Sequence, residues 1–214
     1  MNDDLFAQAE RFASNVETLV ESCLPDAPSF VAERMDNGRI WIRPEGQTYH
    51  SGGVPLYVAG SRRGWLRVNY RCRLDSDNEF LAIHSSGFSV GTDVENPPLF
   101  RFEYDSDARN KADAHIHVHG ERPALTGFLA SSRFDELHKL HLPTGGARFR
   151  NGIEDVIEFL ISDCHVDAEP SWERAIQASR EGWQRIQLKA ATRRLPEAAI
   201  EQLTSMGYRI VPPA

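Results

Sequence analysis

The chain of 214 residues is poor in cysteine, and its three cysteines, Cys23, Cys72 and Cys164, are an odd number with no CxxC spacing. Neither a disulfide framework nor a thiolate zinc site is therefore expected. No apolar run approaches the roughly 18 residues that a membrane span needs. The opening MNDDLFAQAE carries acids where a signal peptide needs bases. These absences point to the cytoplasm and to no membrane partner. No block of roughly 20–50 residues recurs, so solenoids are excluded. An excess of positive charge is also missing. Twenty-four Lys and Arg face thirty-one Asp and Glu, a net charge of −7. A nucleic-acid partner would therefore have to meet a local patch.

What is present has an ordinary globular balance, 41% hydrophobic and 26% charged. Leu5, Ala9, Phe12, Val16, Leu19 and Cys23 recur at helical steps, with Phe6, Ala13 and Val20 widening the stripe and Pro25 ending it. The middle of the chain changes period. Leu66, Val68, Tyr70, Cys72 and Leu74 alternate with polar residues, as a half-buried strand requires. Residues 79–90, 99–104 and 114–119 read as further strands, and 54–59 and 137–142 as weaker ones. After Pro143, Asn151 can cap a helix with Ile153, Val156, Ile157, Leu160 and Ile161 on one face. Ser171 can cap a second, with Trp172, Ile176, Trp183, Ile186 and Ala190 inward. Pro196 and Gly207 bracket a third, with Ile200, Leu203 and Met206 inward.

Strands in the middle and helices at the ends predict an α+β fold: a largely antiparallel sheet of five to six strands, an N-terminal helix and C-terminal helices. No linker composition divides the chain. Residues 1–165 read as the core domain and 166–214 as a helical extension packed on it.

The densest chemistry lies in DAHIHVHGE at 113–121. His115, His117 and His119 share one face of a strand if Ile116 and Val118 face the core. In the preceding strand Arg101 and Glu103 alternate with Phe100 and Phe102, so pairing would set them beside the histidines, with Lys111 on the connecting loop. Imidazoles beside a carboxylate and two cations suit general acid–base work on a phosphodiester, with His117 and His119 as acid and base, Glu103 orienting one ring, and Arg101 and Lys111 stabilising charge. That reading requires no cofactor and no metal. A metal is the alternative, with His115, His117 and Glu121 as ligands in an HxHxxxE spacing. A face that is merely His-rich and solvated is the bland reading.

Residues 61–74 carry five arginines and no acid, whereas residues 1–60 carry nine acids against four bases. Arg67, Arg71 and Arg73 share a strand face preceded by Trp65, which suits phosphate contact and base stacking. The alternative is a solvated face whose arginines pair with acids across the sheet. Arg148 and Arg150 lie within PTGGARFRNG, a glycine turn at a helix start that could meet an anion. Its spacing is not that of a Walker loop. His50, His84 and His165 stand alone and read as structural or exposed. The basic stretch Arg180–Arg194 reads as a solvated helix face.

Arg101-Phe-Glu-Tyr-Asp105, Lys111, His115-x-His117 and Phe149-Arg-Asn-Gly-Ile-Glu154 together resemble the core of TumE-type toxins of toxin–antitoxin pairs, over roughly residues 55–165. The resemblance implies a small α+β toxin-like fold, an antitoxin-like protein partner and action on RNA. A non-enzymatic interaction module is the remaining expectation.

Overall fold

The computed structural model describes residues 3–48, 51–75, 78–92, 98–109, 111–120, 142–144 and 151–211. Helix α1 spans Asp3–Cys23 and buries Leu5, Ala9, Ala13, Val16, Leu19, Val20 and Cys23. Pro25 lies just past its end, where a missing amide and a restricted preceding residue stop the helix. Gln8 fastens it to the sheet, donating to the Glu79 carbonyl and accepting from the Leu81 amide.

Eight strands form one sheet among the described residues: β1 (Phe30–Arg34), β2 (Ile40–Pro44), β3 (Val54–Val58), β4 (Ser61–Leu74), β5 (Leu81–Gly91), β6 (Phe100–Asp105), β7 (Ala114–Val118) and β8 (Leu142–Pro143). They run β1-β2-β4-β5-β6-β7-β8, with β3 also paired to β4, and every pairing is antiparallel. The α+β class is as expected, and the sheet is larger. β1 and β2 account for the difference, because five-residue segments such as FVAER carry too little alternation to stand out. Of the stretch 137–142, residues 137–141 lie outside the described residues.

Strand β4 shows why the sheet has one oily face. Leu66, Val68, Tyr70 and Cys72 are buried, while Arg67, Asn69, Arg71 and Arg73 project to the other side. The β3–β4 hairpin turns through Ala59 and Gly60, both at positive φ (51° and 72°), as a tight hairpin demands. Asp167 holds that turn, accepting from the Ala59 amide at 2.9 Å and the Gly60 amide at 2.7 Å. Between β4 and β5 the register jumps, with Arg71 opposite Ser85 but Cys72 opposite Ile83, so His84 is the extra residue of a bulge.

Helix α2 (Ile153–Ser162) packs on the oily face, with Phe159 edge-on to Phe100 and Phe102. Its N-cap is Gly152, not Asn151: the Asp155 carboxylate reaches back to accept the Gly152 amide at 2.8 Å. Helix α3 (Trp172–Arg194) follows Ser171 as expected, but Ser171 donates to the Ser22 carbonyl and does not cap. Ile176 is the residue buried along α3, and Ile186 is 57% exposed. Helix α4 (Pro196–Ser205) packs against α3 and leaves Ile200, Leu203 and Met206 exposed, contrary to the inward face expected of them. Helical periodicity marks an apolar face, and only a covering neighbour buries it.

Candidate metal centre

Strands β6 and β7 pair so that Arg101 stands opposite His117 and Glu103 opposite His115. The ladder continues inward. Arg67, Ser89, Arg101 and His117 form one row across four strands, and Asn69, Gly87, Glu103 and His115 form the next. Arg67, Arg101, Glu103, His115 and His117 therefore share one face, as expected, with Ile116 and Val118 on the other side beside Phe102 and Phe100.

The histidines differ in environment from a solvated strand face. His115 is 1% exposed and His117 is 4% exposed. Their rings meet edge to face at 4.9 Å. Nδ1 of His115 donates to the Ala112 carbonyl at 2.8 Å, so a neutral ring presents a lone pair at Nε2. That Nε2 lies 3.2 Å from Glu103 Oε2, and Nε2 of His117 lies 3.5 Å from the same oxygen. Burial lowers the His115 pKa and favours its neutral form. Glu103 is held down to about 2, first by the His117 hydrogen bond and then, against burial, by the charges of Arg101 and Lys111. Nε2 of His115 and the Glu103 oxygen thus meet at 3.2 Å, a hydrogen bond when the ring is protonated and two donors for a shared cation when it is neutral.

The ligand atoms of Glu103, His115 and His117 all lie within 4.8 Å of one another. Bonds of about 2.1 Å to a common ion would set neighbouring donors roughly 3.0–3.4 Å apart, close to the two observed separations. The Ala112 carbonyl supplies the partner that orients a metal-binding imidazole. Two histidines and one carboxylate suit a transition metal with open coordination positions.

Positive charge borders the cluster. Arg101 Nη1 is 3.5 Å and Lys111 Nζ 3.9 Å from the Glu103 carboxylate. Arg101 Nε is buried with no hydrogen-bond partner among the described residues, a donor left for an anionic oxygen. The arginines of β4 are more committed than phosphate contact would ask. Arg73 pairs with Asp107 at 3.3 Å, and Arg71 lies over Trp41 and beside the Met35 sulfur. Arg67 lies 3.8 Å above the Trp65 ring. Trp65 is 7% exposed and donates to the Thr92 carbonyl, so it presents no free ring for a base.

His119 falls past the end of β7 and is not part of the Glu103 cluster. The pair that the structure brings together at Glu103 is His115 and His117. Glu121, Arg148 and Arg150 lie outside the described residues. Among the described residues, the carboxylate grouped with His115 and His117 is that of Glu103. His84 is buried in the β5 bulge, with Nδ1 2.9 Å from the Ser106 hydroxyl and 3.6 Å from Asp107. Arg180 bridges Asp155 and Glu158.

The fold and the site define an α+β protein with a buried two-histidine, one-carboxylate cluster on a basic sheet face. No family model, curated protein or solved structure matches the chain. No described helix is long and apolar enough to cross a membrane.

Proposed function

We propose that the chain is a metal-dependent enzyme acting on a phosphate-bearing, anionic substrate, with Glu103, His115 and His117 as the metal ligands. The observation that carries this reading is the convergence of both imidazole Nε2 atoms on one Glu103 oxygen while Nδ1 of His115 is committed to a carbonyl. A bound transition metal would acidify a water molecule and polarise a phosphoryl oxygen. The chain's own part is to orient the two imidazoles, keep Glu103 ionised and present Arg101 and Lys111 to the substrate's negative charge. Arg67, in the same row, extends the positive edge. Three free cysteines support a cytoplasmic setting.

The test is hydrolysis of bis(p-nitrophenyl) phosphate by the full chain. Activity should vanish with a chelator, return with added Zn²⁺ or Mn²⁺, and be absent from His115→Ala. Arg101→Ala should raise KM more than it lowers kcat. Hydrolysis indifferent to chelation overturns the metal reading, and no hydrolysis by metal-loaded protein overturns the substrate class.

The in-register row of Arg67, Ser89, Arg101 and His117 favours a second reading, a toxin-like ribonuclease in which His117 and Glu103 exchange protons without metal and an antitoxin-like chain is the partner. It predicts RNA cleavage that survives chelation and is lost in His117→Ala.

A further inference from the structure

On the opposite face of β5 from the histidines lies a cavity of about 450 Å³, bounded by α1, the sheet, the start of α2 and the middle of α3. It is a cleft open to solvent at its rim, and its volume falls within the range of small-molecule sites. Its walls are aromatic. Phe12 and Trp183 stack at 6.3 Å, and Phe12 and Phe88 each meet the Tyr70 ring edge-on.

Polar side chains interrupt this apolar lining, Ser86, Asn151 and Glu154 among them. Ser86 is 8% exposed, and its hydroxyl has no hydrogen-bond partner among the described residues. Asn151, at the start of α2, likewise lacks a side-chain partner there. Glu154 is 8% exposed and is the single charged residue among the described residues that line the cavity. Its one hydrogen bond is from the Ser179 hydroxyl to Oε1, although a carboxylate has about four acceptor positions. The adjacent cation, Arg180, is already bound to Asp155 and Glu158. Glu154 lies in the first turn of α2, where the helix N-terminus favours its charge, and it lines the same aromatic chamber as Ser86 and Asn151.

We propose that this cavity binds a small amphiphilic amine, its ring or alkyl body between Phe12, Tyr70, Phe88 and Trp183 and its ammonium group on Glu154. The ammonium supplies the donors that Glu154 and Ser86 lack, and aromatic faces favour a cation above them. The rim is open to the ligand: Asn15, Ala178, Gly182 and Ile186 are all exposed. The inference does not depend on the proposed metal centre, whose residues lie on β6 and β7 and do not line the cavity.

Tryptamine, indole and indole-3-acetate, titrated calorimetrically into the full chain, provide the test. Tryptamine should bind one to one, roughly tenfold more tightly than indole, and indole-3-acetate should not bind. Glu154→Gln should erase the preference for tryptamine over indole. Ala178→Trp, on the exposed rim, should block tryptamine while leaving the melting temperature unchanged, which keeps the test decisive if Glu154→Gln folds poorly. The proposal is overturned if tryptamine fails to bind at millimolar concentration, if the acid binds as well as the amine, or if Ala178→Trp leaves tryptamine binding intact.

Discussion

Glu103 is ringed by basic side chains: His115, His117, Arg101 and Lys111 all approach its carboxylate within 4 Å. Its pKa is held at about 2, against an ordinary value of 4.5. A depressed carboxyl favours the folded state while it is ionised, so that contribution is complete above pH 4.5 and disappears as the pH falls toward 2. In chelator-treated protein, Glu103→Gln should cost about 3 kcal/mol at pH 7 at most, from the size of the shift. Urea melts at roughly pH 7, 4 and 3 should show the gap between the two proteins closing with acid. A gap that stays constant would mean that the substituted amide destabilises through packing and not through lost charge. The same scale explains why the arginine run is less available than its charge suggests. Asp107, Trp41 and Trp65 occupy Arg73, Arg71 and Arg67 in turn.

Among the elements, β5 separates the two sites. Ser85, Gly87 and Ser89 share the face that carries Glu103, His115 and His117, and Ser86, Phe88 and Val90 face the core. Its glycines are not equivalent. A Cβ at Gly91 would lie 2.3 Å from the Trp65 ring, whereas one at Gly87 would meet nothing within 4 Å. Gly91→Ala should therefore lower the melting temperature by several degrees, about 2–4 °C for each kcal/mol in a chain of this size, and Gly87→Ala should leave it unchanged. Equal effects in a thermal melt would contradict this account of the strand. Much of this layer is legible in the sequence. The alternation of β4 and β6 places Arg67, Arg101 and Glu103 on one face, and the HxH spacing adds His115 and His117. The burial of those imidazoles is not legible, because a strand's period says which residues share a face and not what covers it. The end of β7 at Val118, which leaves His119 outside the strand, is a tertiary event of the same kind. The cavity is less visible still, since Phe12, Ser86, Glu154 and Trp183 come together only when α1, β5, α2 and α3 pack.

For the whole molecule, the sheet is a partition with different chemistry on each side. The −7 net charge is unevenly spread: Arg101 and Lys111 border a carboxylate and two imidazoles on one face of the sheet, while the Glu154 carboxylate is buried beneath α3 on the other. The chain after residue 165 is tied to the core by Asp167 at the β3–β4 turn, by the Glu169 amide on the Cys23 carbonyl and by Arg193 over the Phe80 ring. It is thus part of what encloses the cavity. The central claim is that Glu103, His115 and His117 hold a metal. Elemental analysis of the full chain, equilibrated with Zn²⁺ and freed of excess by gel filtration, tests it most directly. One bound ion per chain, lost in the His115→Ala/His117→Ala double variant while the fold is retained, is the predicted result. A metal-free wild type, or equal zinc in both proteins, would contradict it.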